Sequence, residues 1–316
     1  MTTLFKPSQR LFTLSILVVL LWLAPLAGQS EDYTYTTNNG TITITGYTGA
    51  GGAVVIPSHI TGLPVASIGN SAFASCTSLT GIRIPDSVIS IGGYAFSMCT
   101  NLVSSSIGNS VTSIGMYAFS RCYNLASVAI PNSVTFIDWY AFRYCTSLTK
   151  VTLSSSLATI PYMGFYSCTS LASITLPRSV TILDWYAFRD CTNLAAVYFL
   201  GNAPTLGTDV FLGDYNATVY YLPGTTGWGS TLGGRPTLLW NPQSQTGDGS
   251  FGVRSNGFGF TITGTTNIPI VIEAGTNLTG SSWTPLQTCI LTNAPIYFSD
   301  SDWANHPARF YRIRSP

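Results

Sequence analysis

Charge is scarce in this chain. Aspartate, glutamate, lysine and arginine make up 8% of its 316 residues, against about 25% in an average globular domain. The formal net charge is +1. No basic stripe exists to neutralise phosphates, which argues against nucleic acid as a partner. Histidine is scarcer still: His59 and His306 are the only two. So few titratable groups leave little material for acid–base chemistry. No serine–histidine–acid, cysteine–histidine, zinc or phosphate-loop pattern occurs. The expectation is a protein that is not an enzyme and carries no cofactor and no metal. Beyond residue 28 there is no apolar run long enough to span a membrane. Serine, threonine, glycine and asparagine supply the polar surface instead, a composition that suits an exported protein.

The one long apolar run, residues 11–23, follows Lys6 and Arg10 and precedes the small-residue stretch Ala-Pro-Leu-Ala-Gly at 24–28. Residues 1–28 read as a secretory signal peptide. Retention of the same segment as an N-terminal anchor is the alternative. Loss of Lys6 and Arg10 with the leader would leave 11 basic residues against 12 acidic.

From residue 65 to 202 one pattern recurs at a 23-residue interval. Its most visible members are Cys76, Cys99, Cys122, Cys145, Cys168 and Cys191. Three positions before each cysteine stands Phe73, Phe96, Phe119, Phe142, Phe165 or Phe188. Three positions after it stands Leu79, Leu102, Leu125, Leu148, Leu171 or Leu194, and eight before it an isoleucine or leucine, from Ile68 to Leu183. A fixed period in the range of 20–50 residues marks a solenoid. One unit cannot bury its own apolar side, but stacked units share a continuous core. Within a coil, Leu79, Ile82 and Ile84 predict a short strand, Pro85-Asp86-Ser87 a turn, and residues 94–99 one or two helical turns.

The consensus Val-x-x-Ile-Gly-x-Tyr-Ala-Phe-x-x-Cys-x-x-Leu-x-x-Ile-x-Ile-Pro, with good copies at 65–73 and 111–119, resembles the leucine-rich repeat of BspA-like bacterial surface proteins. The resemblance covers about residues 53–240. Coil 157–165 departs from it, losing the Gly and the Ala, and Ser105 replaces an aliphatic residue. The resemblance implies a right-handed solenoid with a parallel sheet on its concave side. It also implies an exported or surface-displayed, non-enzymatic protein associated with adhesion.

Six cysteines in an exported chain invite a disulfide framework. Each holds the same place in its coil, so all point the same way, whereas a disulfide needs converging Cβ atoms. The reading is buried free thiols, with Cys289 also unpaired.

The strand positions facing out of the sheet are small: Ser104, Ser106, Ser127, Ala129, Thr152, Ser173 and Thr175, with Arg83, Lys150 and Tyr198 as the exceptions. Anchors of the kind that dominate interfaces, Trp, Tyr and Arg, line another face. Tyr94, Tyr117, Tyr140 and Tyr186 share one column, and Trp139, Tyr162 and Trp185 the next. The hexapeptide Asp-Trp-Tyr-Ala-Phe-Arg occurs at 138–143 and 184–189, so Arg143 and Arg189 follow their tryptophans by four. At helical spacing each guanidinium would cover its own indole. This strip either stacks on sugar rings or a partner protein, or packs only on itself with Asp138 and Asp184 capping the turns. The two aspartates stand two coils apart, roughly 10 Å, close to the separation of inverting glycosidases. Nothing in a regular coil makes a cleft or raises one pKa, so catalysis is not expected there.

The ends differ. Residues 29–64 read as an N-terminal β cap, with Thr-Ile-Thr-Ile-Thr at 41–45 alternating as a strand does, and 203–240 as a C-terminal cap closed by a strand at 218–222 and Trp228. Residues 241–250 read as a linker. Residues 251–316 carry alternating segments at 258–262, 268–272, 296–298 and 310–313, which predict a small antiparallel β-sandwich. It is similar to tail modules of other exported bacterial proteins, a resemblance with no function attached. Asp300 and Asp302 beside Ser299 and Ser301 suggest a calcium site or a solvated turn; Arg309, Arg312 and Arg314 suggest edge-strand charges. The function expected is recognition of a protein or glycan at the cell exterior through the solenoid surface. The alternatives are a purely structural envelope protein and a carbohydrate-binding accessory acting through the tail.

Overall fold

The computed structural model describes residues 30–254, 257–278 and 282–315; the leader expected at 1–28 lies outside them. The 23-residue period becomes a stack of coils. Each coil contributes two strands, and most of them pair in parallel with the equivalent strand of the next coil, typically 23 residues on. One ladder runs through Ser90–Ile91, Ser113–Ile114 and Phe136–Ile137. The other runs through Leu79–Arg83, Ser104–Ser106, Ser127–Ala129 and Lys150–Thr152, and resumes as Ser173–Leu176, Ala196–Phe199 and Thr218–Tyr221.

Identical side chains therefore stack on one another inside. Phe73, Phe96, Phe119, Phe142, Phe165, Phe188 and Phe211 form a single file of parallel rings, centroids 5.0 to 5.8 Å apart. All are fully buried. The thiols lie beside them. Cys99, Cys122, Cys145, Cys168 and Cys191 each donate from Sγ to the carbonyl of the phenylalanine 26 residues back, at 3.0–3.2 Å. All seven cysteines are free.

The turn between the two strands of a coil corrects the sequence reading. It is not helical; among the described residues the only helical pieces are the 3-10 turns Ser30–Asp32 and Trp303–Asn305. Its amides alternate instead. Ala95, Ser97 and Cys99 bond back three residues to Gly92, Tyr94 and Phe96, while Tyr94, Phe96 and Met98 bond across to Met116, Ala118 and Ser120 in the next coil. A helix would spend all these donors internally. Alternation needs two left-handed residues per coil, and they are Tyr94 and Met98, Tyr117 and Arg121, Tyr140 and Tyr144, Met163 and Ser167, Tyr186 and Asp190, with φ between 49° and 61°. The apolar spacing that resembled a helix is the spacing of these successive turns.

The hairpin Tyr33–Asn38 and Thr41–Tyr47, turned by Asn39 and Gly40 at positive φ, caps the N-terminal end. Tyr47 stacks on Phe73 at 5.0 Å. At the other end Trp228 stacks on Tyr221. Gly233, at φ +56°, lies so close to the Phe211 ring that a Cβ would be 2.9 Å from it.

The tail is two antiparallel sheets. One holds Pro242–Gln245, Gly252–Arg254, Gly257–Gly264 and Ile296–Asp300; the other holds Pro269–Gly275, Thr284–Ile290 and Phe310–Arg314. The expected linker is thus corrected in part, since Pro242–Gln245 pairs with residues 261–264. Nor is the tail a separate bead. Its Phe260, Ile268, Ile270 and Phe298 share one apolar cluster with Ala196, Tyr198 and Tyr220 from the outer face of the solenoid sheet, and Trp240 Nε1 donates to the Pro269 carbonyl at 3.0 Å.

Candidate functional site

Left-handed backbone turns the tyrosine column outward. Tyr94 stacks on Tyr117 at 4.8 Å, and Tyr117 on Tyr140 at 4.3 Å with rings 4° from parallel. Tyr140 meets Tyr162 edge-on at 5.1 Å, and Tyr162 meets Tyr186 the same way at 5.9 Å. This column largely satisfies itself. Burial, then hydrogen bonding with Tyr162, holds the Tyr140 phenol above its ordinary pKa.

The tryptophans behave differently. Trp139 is 51% exposed and Trp185 54%. Among the described residues the one ring contact of Trp139 is with the edge of Tyr162, at 6.0 Å. Phe136 and Ile182, three residues before each, are exposed as well. Coils 136–139 and 182–185 therefore each expose an apolar pair, and the coil between them places Thr159, Pro161 and Tyr162 at the positions of Phe136, Asp138 and Trp139. A cleft of about 170 Å³ opens beside the first of these coils, lined among others by Phe136, Trp139, Thr159, Pro161 and Asp184 but not by Ile182 or Trp185. Asp138 Oδ1 and Asp184 Oδ1 each accept the amide of the following tryptophan at 2.7 Å. The aspartates do brace the turns, one residue ahead rather than as helix caps.

The arginines do not cover the indoles. Arg143 lies over Tyr144 at 4.5 Å, Tyr166 at 5.3 Å and Tyr140 at 5.5 Å; Arg189 lies over Tyr186 at 5.2 Å. Residues four apart share a face only on a helix, and this turn is not one.

The sheet face is exposed at Arg83, Ser104, Ser127 and Lys150, but Tyr198 and Tyr220 vanish beneath the tail. At the junction a cleft of about 740 Å³ is lined among others by Lys150, Thr152, Thr175 and Arg314. Sequence reasoning missed it, because tail docking leaves no periodic signal. The other tail expectations also change. Asp300 is spent on Arg309 Nε at 2.7 Å and Tyr311 Oη at 2.9 Å, and Asp302 on Asn305 and His306 at 2.7 and 2.8 Å. Arg312 and Arg314 clamp the buried Glu273 at 2.6 Å. The carboxylates thus have cationic partners already, and these arginines serve internal ion pairs rather than guarding an edge.

A family model described as BspA type Leucine rich repeat region matches in six copies, over residues 66–195 and 115–226, together half of the chain. A T. pallidum leucine-rich repeat protein of solved structure is 36% identical. The match covers 61% of this chain and 90% of that one, with a TM-score of 0.56. A leucine-rich repeat protein from Bacteroides ovatus (26% identity, 60% and 70% of the two chains, TM-score 0.39) and a leucine-rich cell surface protein from Faecalibacterium prausnitzii (25%, 61% and 70%, 0.43) also match. No curated protein matches the chain.

Proposed function

The chain belongs to the BspA-type leucine-rich repeat family, a family of bacterial surface repeat proteins that are generally interaction scaffolds and typically not enzymes, and from that premise we propose that it is exported and holds a protein or glycan partner at the cell exterior on the aromatic face of its solenoid. One observation carries the reading. Two tryptophans stand half exposed on a face whose neighbouring tyrosines are already packed. A buried or self-stacked indole contributes to folding; an indole left in water is an anchor without a partner. Arg143 and Arg189, already held against tyrosine rings, give the strip a polar rim.

The tyrosine stack favours a second, structural role for part of the same strip. Tyr94, Tyr117 and Tyr140 are assigned to packing, and recognition to Trp139, Trp185 and their surroundings. The tail is read as a supporting unit, since its apolar face is used on the solenoid.

The experiment compares the full chain with a Trp139→Ala, Trp185→Ala double variant on an array of extracellular proteins and glycans. We expect the melting temperature to stay within a few degrees, because exposed side chains contribute little to stability, and retention on the array to fall at least tenfold. Undiminished retention removes the aromatic face from the function.

A further inference from the structure

The cleft between solenoid and tail lies on a fault in the stack. We propose that it binds a sugar acid, free or at the end of a glycan, with the carboxylate held between Lys150 and Arg314. None of the described residues lining it belongs to the aromatic strip.

The fault begins at one residue. Asp138 and Asp184 each donate a backbone amide to the carbonyl 24 residues back, on Ile114 and Ile160. In the coil between them Pro161 holds that place and has no N–H to give. The ladder through Phe136–Ile137 stops short of Thr159–Ile160, and at the same level the ladder through Lys150–Thr152 stops short of Ser173–Leu176. The turn side stays joined, since the amides of Tyr140, Phe142 and Tyr144 still bond to Tyr162, Gly164 and Tyr166. The two coils therefore part on their strand sides. Val151 registers the opening: it is half-buried, whereas its stack neighbours Val128 and Ile174 are 2% exposed.

The cleft at this fault holds about 740 Å³, inside the range of roughly 300–1,000 Å³ typical of small-molecule sites. Its lining runs unbroken from Thr149 to Leu153 and from Ser173 to Thr175. Successive strand residues point to opposite faces, so an unbroken run brings the unladdered strand edges to the cleft, with backbone donors and acceptors open to a ligand. A peptide strand does not fit between those edges. Their Cα atoms still approach within 8 Å, and an inserted strand needs two spacings of about 4.8 Å.

Charge narrows the ligand further. Lys150 is the only lysine beyond Lys6. It stands where its ladder neighbours carry Ser127 and Ser104, and it has no ion pair among the described residues. Arg314 reaches the cleft from the tail. Glu273 fixes its Nε at 2.6 Å but also takes Arg312, so two guanidiniums on one carboxylate leave a positive charge over. None of the described residues lining the cleft is acidic. Thr152, Ser155, Ser173 and Thr175 add hydroxyls that both donate and accept, as the hydroxyls of a sugar require. No aromatic ring lines the cleft, so a nucleobase or aromatic acid finds no stacking surface, and a bare oxyanion fills little of the volume.

The full chain is titrated calorimetrically with a hexuronic acid, a tetrasaccharide ending in it, the matching neutral sugar, inorganic sulfate and an aspartate-rich peptide. Acylation of Lys150 by an amine reagent is followed by mass spectrometry in parallel. Expected is binding of the acid: equal affinity for monomer and tetrasaccharide marks a free sugar acid as the ligand, and tighter binding of the tetrasaccharide marks a glycan end. Lys150→Gln should weaken it about tenfold, the loss of one charge-assisted contact, and Thr175→Val severalfold. Bound acid should slow the acylation of Lys150. The Trp139→Ala, Trp185→Ala double variant should bind the acid as the parent does, which separates this cleft from the aromatic face. Neutral sugar, sulfate or peptide bound as tightly as the acid overturns the ligand. Acid binding that Lys150→Gln leaves unchanged, or no acid binding at low salt, overturns the site.

Discussion

The cysteine of each coil is a side chain whose chemistry is set by its neighbours in the stack. Burial raises the thiol pKa, to about 12 at Cys99 and well above the ordinary value at Cys122, Cys145 and Cys191. The thiolate is the reactive form, so these thiols are inert while folded. Cys76 and Cys289 are only partly buried. A thiol reagent at pH 8 should modify those two in the native chain, and the other five of the seven only after denaturant is added; fast labelling of all seven in the native state contradicts the ladder. In coil seven Asp214 replaces the cysteine, and both its side-chain oxygens are buried without a hydrogen-bond partner. Burial pushes its pKa to about 8 from 3.8. The folded state thus prefers the protonated form. Below about pH 4 both states are protonated and nothing is lost; as pH rises from 4 to 8 the unfolded chain sheds the proton more readily and stability falls. Asp214→Cys restores the thiol and its route to the Phe188 carbonyl. It should gain about 1–3 kcal/mol at pH 8 and remove the decline in melting temperature between pH 5 and 8. A variant that melts as the parent does at both pH values refutes this account.

At the scale of the element, the turn segment explains both the tyrosine column and the poverty of charge. Left-handed backbone at a non-glycine residue costs on the order of 1–2 kcal/mol. Here each such residue frees an amide to bond the next coil, and the tyrosine rings stack over the strained positions. Every side chain also meets its own equivalent about 4.8 Å away. Like charges at that spacing repel, whereas hydroxyls and amides pair. Thr112, Thr146, Thr149 and Thr169 donate to carbonyls 23 residues back, and Asn124 to Asn101. The scarcity of charged residues follows from the stacking. The Phe, Cys and Leu columns were legible in the sequence because period and chemistry coincide there. The turn was not, since 94–99 shows the apolar spacing of a helix and only the left-handed residues rule one out.

Over the whole molecule, the tail closes the last part of the sheet face. Tyr198 and Tyr220 are 4% and 7% exposed and share one buried apolar cluster with Phe260, Ile270 and Phe298 of the tail. Placing a charge in that contact should undock the tail and leave the coils intact. Tyr220→Arg is expected to bring early protease cleavage near 242–250 while the circular dichroism of the solenoid persists. Cleavage no faster than in the parent would show that the contact does not hold the tail. The sequence alone settled the solenoid and its core rows, because identical residues at a fixed step can stack only one way that shields them all from water. It also placed Trp139 and Trp185, with Tyr162, in one outward column of candidate anchors. The tertiary structure alone decided that the tyrosines pack while the tryptophans stay in solvent, that the arginines leave the indoles uncovered, and that the tail lies on the sheet. Those outcomes depend on backbone handedness and on contacts between segments that share no period, and neither is encoded in spacing.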